Sequence, residues 1–286
     1  MRLGPRTKVL VQGITGHQGS IHTDLMLRFG TNIVGGVTPG KSGEKVSGLP
    51  VFNTVSDAIS KTGAECSVIF VPARNCMDAA IEAMDAGIRM LVVVTEHVPV
   101  HDTMKIKRIA ERTDSIVIGP NSPGIVVPSA IKLGIIPNDI FLHGDVAVLS
   151  RSGTLTYEVV MSLTEHGIGQ CFVAGVGGDR IIGTSMARLA ILVNEQYGPK
   201  GYVIIGEIGG REEVEAAKAI SDIGSISIAY IAGKTAPEGK RMGHAGALIG
   251  DISDTYIDKT NALKDVGSIV CDRLSLVPIV VRDALY

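Results

Sequence analysis

The sequence predicts an α/β protein made of two doubly wound parallel sheets, and three observations predict it. Short β-branched runs recur at regular spacing, stretches of helical period lie between them, and one dense cluster of chain breakers divides the series in two. That cluster is Gly119-Pro-Asn-Ser-Pro-Gly124, with Pro128 beyond it. The runs are continuously apolar rather than alternating, which suits parallel strands buried on both faces. The expected domains are residues 1–122 and 123–286.

In the first half, strands are expected at Lys8–Val11, Asn32–Val37, Ser67–Val71, Met90–Thr95 and Ser115–Ile118. Between the third and fourth, Met77, Ala80, Ile81 and Met84 share a helical face, with Asn75 as the expected N-cap and Gly87 as the closing residue. In the second half, strands are expected at Val146–Leu149, Gln170–Ala174, Tyr202–Ile205 and Ser227–Ile231, with a weaker one at Ser268–Val270. Helices are expected near 153–166, 184–196 and 211–222.

Composition excludes several functions. A hydrophobic content of 45% and mean hydropathy of +0.30 describe a chain with enough apolar matter for two buried cores. With 27 basic and 29 acidic residues there is no global field to draw in nucleic acid or an anionic membrane, so any anion site is local. No run of 18 apolar residues and no secretory signal core is present, which argues against membrane insertion and export. Cys66, Cys76, Cys171 and Cys271 are scattered without a C-x-x-C pair, as expected of thiols in a reducing compartment. No metal-ligand cluster is expected.

Gly13-Ile-Thr-Gly16-His-Gln-Gly19 follows the first strand and opens the first helix, so backbone N–H groups and the helix dipole converge where a phosphate could sit. A dinucleotide would want an acidic residue at the end of the second strand to hold its ribose. That strand instead runs into Val37-Thr-Pro-Gly-Lys41, and a lysine there suits an additional phosphate, as coenzyme A carries. Gly35-Gly-Val-Thr-Pro-Gly40-Lys41-Ser42 also satisfies the P-loop pattern. Gly43, Gly48 and Pro50 then interrupt the helix that a P-loop must open, so the pattern is set aside.

Two further constellations carry chemistry. Ser150-Arg-Ser-Gly-Thr154 leads from a strand into a helix with Ser152 as the natural N-cap, which makes the helix start an anion site. Ile205-Gly-Glu-Ile-Gly-Gly210 puts Glu207 at the carboxyl edge of a sheet, flanked by glycines. In Gly239-Lys-Arg-Met-Gly-His-Ala-Gly246, His244 lies on a glycine-rich loop beside Lys240 and Arg241. Imidazole is the side chain that attacks an electrophile as a free base near neutral pH and leaves again, so this loop reads as a group carrier. Glu207 could orient one ring nitrogen of His244 and leave the other as nucleophile.

In order along the chain, Gln12-Gly-Ile-Thr-Gly16, Gly35-Gly-Val-Thr-Pro-Gly-Lys41, Gly119-Pro-Asn-Ser-Pro-Gly124, Ser150-Arg-Ser-Gly-Thr-Leu-Thr-Tyr-Glu158, Ile205-Gly-Glu-Ile-Gly-Gly210 and Gly239-Lys-Arg-Met-Gly-His-Ala-Gly246 resemble the α-subunit family of the succinyl-CoA synthetases. The resemblance implies a Rossmann-like CoA-binding domain followed by a flavodoxin-like ligase domain. It implies a reversible ligase of the tricarboxylic acid cycle that couples NTP, succinate and CoA to NDP, phosphate and succinyl-CoA, through a phosphohistidine and succinyl phosphate. Carried over by position, Thr15, Gly16, His17, Gln18, Lys41, Val94, Thr95 and Glu96 would contact CoA, and Tyr157 would lie at the organic-acid site. His244 would be the residue phosphorylated, Glu207 would steady its ring, and the helix starting at Ser152, Gly153 and Thr154 would stabilise the phosphohistidine. A β subunit of ATP-grasp type would bind ATP or GTP with Mg²⁺, in a heterodimer or heterotetramer. The expected location is the cytoplasm, or the mitochondrial matrix for a processed eukaryotic chain.

The chain departs from the family pattern at His17, where Ser is common, at Ser122, where Cys is common, and at Arg180, where Pro is usual. Beyond Gly250 the match is poor and no site is expected. The alternatives are a ligase subunit for malate or citrate, a CoA-binding module without catalysis, and an NAD-dependent oxidoreductase. Lys41 and the missing ribose carboxylate disfavour the last.

Overall fold

A computed structural model describes residues 2–235 and 255–286. It divides into two compact units, Met1–Asn138 with Ile181–Thr184, and Asp139–Arg180 with Ser185–Tyr286. Residues 123–138 fall in the first of these units, while the two strands they form belong to the second seven-stranded sheet.

The first unit begins with β1 (Val9–Gln12), α1 (His17–Phe29), β2 (Ile33–Val37), β3 (Lys45–Val46), β4 (Leu49–Phe52), α2 (Val55–Thr62) and β5 (Cys66–Ile69). It continues with α3 (Ala73–Asp85), β6 (Met90–Val93), α4 (Val100–Thr113), β7 (Ile116–Ile118), β8 (Gly124–Val127) and β9 (Ile131–Gly134). Its main sheet has the order β3-β4-β2-β1-β5-β6-β7, parallel except for the short pair β3–β4. Without β3 this is the doubly wound order, with the topological switch between β1 and β5. Strands β1, β5 and β6 are wholly buried, which explains their unbroken apolar runs. Gln12 is the polar exception: Ser67 Oγ donates to its Oε1 at 2.7 Å, and its Nε2 donates to the Ala79 carbonyl at 2.9 Å, tying β1 to β5 and α3.

The expected helix around Met77–Met84 is α3, but Asn75 does not cap it. The helix begins after Pro72, whose fixed φ of −55° already suits a helix start, and the Asn75 N–H donates to the Pro72 carbonyl inside the first turn. Gly87, at φ +102°, closes it as expected, with the Ile88 N–H returning to the Ala83 carbonyl.

The breaker cluster at Gly119–Gly124 introduces the antiparallel hairpin β8–β9, which belongs to the second seven-stranded sheet. That hairpin is tied back to α1 and the turn after it. Thr31 Oγ1 donates to the Lys132 carbonyl at 2.8 Å and accepts the Lys132 N–H at 3.0 Å, and Asn138 Nδ2 donates to the Leu25 carbonyl at 3.0 Å.

The second unit contains β10 (His143–Ser150), α5 (Gly153–Glu165), β11 (Gln170–Gly175), α6 (Met186–Tyr197), β12 (Gly201–Glu207) and α7 (Glu212–Asp222). After these come β13 (Ile226–Ala232), α8 (Tyr256–Asp265), β14 (Ile269–Cys271) and α9 (Val277–Leu285). Its parallel strands run β14-β13-β12-β10-β11. In chain order this is the 2-1-3-4-5 arrangement of flavodoxin-like sheets, whose switch point lies between β10 and β12. Side-chain caps start three of its helices: Ser152 Oγ accepts the Leu155 N–H, Ser185 Oγ the Arg188 N–H and Thr255 Oγ1 the Asp258 N–H.

Candidate active site

In the first unit the predicted CoA-contacting residues gather at the carboxyl ends of β1, β2 and β6. Gly13 has φ +80°, the left-handed conformation that glycine adopts without strain, and its N–H donates to the Val37 carbonyl at 2.8 Å. Gly16 caps α1 through its backbone alone, with no side chain over the helix start. A Cβ at Gly19 would lie 2.2 Å from the Gly13 carbonyl oxygen, so only glycine lets α1 pack this closely on the loop. The helix therefore starts bare and tight, with Gly16, His17 and Gln18 exposed at its first turn. First-turn N–H groups lack intrahelical acceptors, so this helix start offers unpaired donors of the kind that suit an anion.

Thr15 Oγ1 donates to Thr38 Oγ1 at 3.2 Å, joining the loop to the end of β2. Lys41 follows on an exposed turn pinned by Asn53, whose Oδ1 accepts the N–H groups of Gly40 at 2.9 Å and Ser42 at 3.1 Å. The lysine pairs with Glu44 at 2.9 Å, with both side chains about half exposed. A surface pair of this kind holds the ammonium weakly and leaves it available for an anion. No helix follows Ser42 until Val55, so the P-loop pattern lacks the element that would make it one. Val94 and Thr95 are partly buried at the end of β6, with Thr95 Oγ1 donating to the Val71 carbonyl at 2.7 Å, and Glu96 is exposed.

In the second unit the switch point collects the other set. Ser150 ends β10, and its Oγ accepts the Ser152 N–H at 3.0 Å and donates to the Ser152 carbonyl at 2.9 Å. Ser152 is buried, Gly153 half-buried and Thr154 exposed at the start of α5. Tyr157, one turn on, is half-buried, and burial raises its phenol above the ordinary value, so it stays a neutral donor.

Glu207 ends β12 and is buried, with Arg151 Nη2 3.8 Å from its Oε1. The same Nη2 donates to the Asp179 carbonyl at 2.9 Å, which fixes the guanidinium. The Glu207 N–H donates to Glu213 Oε1 at 3.1 Å, and Lys259 Nζ donates to the Glu207 carbonyl at 2.5 Å, the Gly209 carbonyl at 2.7 Å and Glu213 Oε2 at 2.7 Å. His244 and its loop lie outside the described residues.

The sequence pattern pointed to Glu207 and Ser152 and the resemblance to Tyr157, and the fold brings Glu207 and the start of α5 to the ends of two adjacent strands. It did not single out Arg151, Glu213 or Lys259. Glu213 reads as one of three acidic residues suiting the dipole at the start of α7, and Lys259 as an ordinary helix-surface lysine. Among the described residues no group of three or more His, Cys, Asp or Glu is placed to hold a metal ion.

Residues 5–97 match the CoA binding domain family, and residues 149–269 match the CoA-ligase family. The succinate–CoA ligase [ADP-forming] subunit alpha 2 of Archaeoglobus fulgidus is 49% identical over 263 residues, covering 92% of this chain and 92% of that protein. The corresponding alpha subunit of Staphylococcus epidermidis is 47% identical over 279 residues, covering 97% and 92%. Among solved structures, the ATP citrate lyase of Methanosaeta concilii with (3S)-citryl-CoA superposes with a TM-score of 0.88 at 25% identity, over 98% of this chain and 50% of that one. The chain thus spans half of the lyase polypeptide but nearly the full length of the ligase α subunits. With that identity over that length, and with both domain families matched in order, the chain belongs to the succinate–CoA ligase α-subunit family.

Proposed function

We propose that this chain is the α subunit of a reversible succinate–CoA ligase, acting with a β subunit of ATP-grasp type that binds ATP and Mg²⁺. The observation that carries the reading is the near-full-length identity of 47–49% to ADP-forming α subunits. A bare helix start and an exposed Lys41, held weakly by Glu44, suit CoA in the first unit. A buried carboxylate beside the start of α5 suits phosphoryl transfer in the second.

In this reading an imidazole nitrogen of His244 takes the γ-phosphoryl group from the nucleotide, releasing NDP. Glu207 accepts a hydrogen bond from the other ring nitrogen and keeps the ring oriented. The first turn of α5, with Ser152, Gly153 and Thr154, offers N–H groups and the positive end of the helix dipole to the phosphoryl oxygens. The succinate carboxylate, near Tyr157, then accepts the phosphoryl group and returns the imidazole. In the resulting acyl phosphate the carbonyl carbon is attacked by the CoA sulfur, and inorganic phosphate leaves. Thr15, Gly16, His17, Gln18, Lys41, Val94, Thr95 and Glu96 hold CoA throughout. Each transfer joins charged partners, so positioning and backbone donors supply most of the rate. Among the described residues no helix is long and apolar enough to cross a membrane.

Co-expression with the β subunit, then assay of thioester formation from CoA and ATP with succinate, malate and citrate, tests the substrate. Succinate is expected to give the highest kcat/KM. A preference for citrate or malate would overturn the assignment of succinate and leave the ligase chemistry standing.

A further inference from the structure

The peptide group of Glu207 is held from both sides by one buried ion pair. Glu213, on α7, accepts the Glu207 N–H through Oε1 at 3.1 Å and Lys259 Nζ through Oε2 at 2.7 Å. Lys259, on α8, gives its other two protons to the carbonyls of Glu207 at 2.5 Å and Gly209 at 2.7 Å. Both side chains are buried, Lys259 at 1% exposure and Glu213 at 0%. An ammonium has three donors, and here all three are aimed at separate acceptors, so its position is specified along with its charge. The backbone is shaped to receive the pair: a Cβ at Gly206 would lie 2.4 Å from the Glu213 side chain.

Stability alone gives little reason for such a pair. A buried ion pair is often replaceable by apolar residues of similar volume without loss, because the charges must leave water first. What apolar residues would not reproduce is the capture of both polar atoms of one residue's backbone, and that residue is the carboxylate the proposed phosphoryl transfer depends on. Lys259 also lies in the first turn of α8, so the same ammonium ties the start of that helix to the end of β12.

We infer that Lys259 and Glu213 are positioning residues for the phosphoryl-transfer step, acting by clamping the Glu207 peptide so that its carboxylate is aimed. This rests on the function proposed above. The test uses the intact αβ complex and the single-turnover rate at which γ-labelled ATP labels the α chain, with kcat and the KM for CoA measured alongside. Glu213→Gln keeps the shape but not the charge, and the double variant Lys259→Met/Glu213→Leu removes both charges together.

Both are expected to fold, to keep the wild-type KM for CoA, and to slow labelling roughly tenfold to a hundredfold, as a misplacement of about 1 Å does. In a Glu207→Gln background the same changes are expected to slow labelling no further, because the clamp acts only through that carboxylate. Wild-type labelling in either folded variant, or losses that multiply in the Glu207→Gln background, would overturn the inference. Should the double variant not assemble, Glu213→Gln alone decides. A wild-type complex that takes no label, or a His244→Ala complex that labels normally, would instead defeat the proposed function and is read separately.

Discussion

At the scale of single residues, the second unit concentrates charge around one carboxylate. Arg151 and Glu207 face each other at 3.8 Å with side chains 3% and 9% exposed, so neither charge is well screened by water. Arg151→Met removes the guanidinium from a buried acid and should lower the unfolding free energy by about 3–5 kcal/mol in urea titrations, the usual result of breaking a buried pair. Adding Glu207→Gln should recover part of that loss. Equal stability of wild type and Arg151→Met would show that the guanidinium is not compensating the carboxylate. Glu207 was legible in the sequence because glycines on both sides of an acid after an apolar strand leave few structural roles for it. Lys259 was not legible, since nothing in Asp258-Lys-Thr260 distinguishes a buried lysine from a surface one before α7 and α8 are placed together.

Elements show the same division. Continuous apolar runs revealed the long central strands, and Ser152 announced α5. The strand pair β3–β4 and the hairpin β8–β9 were missed because their residues sit among Gly and Pro, where local chemistry says turn and only pairing partners say strand. Asn75 was mistaken for a cap because Pro72 competes for the same boundary and wins through its fixed φ. The close contact between α1 and the Gly13 loop yields a prediction. Gly19→Ala places a methyl 2.2 Å from the Gly13 carbonyl oxygen, with the Gly13 carbonyl carbon at 2.9 Å, so backbone rather than a flexible side chain must move. The expected cost is about 1–3 kcal/mol in thermal or urea unfolding, with a matching loss of CoA affinity by calorimetry. Unchanged CoA affinity would show that the loop geometry is not what binds it.

Across the whole molecule, the four cysteines are free and buried. Burial is the first cause raising each thiol from its ordinary value of 9.0: Cys76 and Cys171 to about 12, Cys271 to about 11, and Cys66 also upward. A thiol whose folded value is raised contributes stability that is fully present below about pH 9 and is lost as pH climbs through the folded values. The melting temperature should therefore hold up to about pH 9 and fall between pH 9 and 12. At pH 8 a thiol reagent should modify the native chain only as fast as it unfolds; rapid reaction would contradict the burial. The two-sheet architecture was legible from the spacing of its strands. Function was legible in motifs because phosphate cradles and transfer residues must be glycine-rich or chemically explicit.

The claim that a phosphoryl group passes through His244 is tested most directly by mixing the αβ complex with γ-labelled ATP and Mg²⁺, then locating the label by peptide mapping. The account predicts acid-labile, base-stable label on His244 that is discharged by succinate and CoA together and is missing from His244→Ala. Label that persists in His244→Ala, or that succinate and CoA fail to discharge, would contradict it.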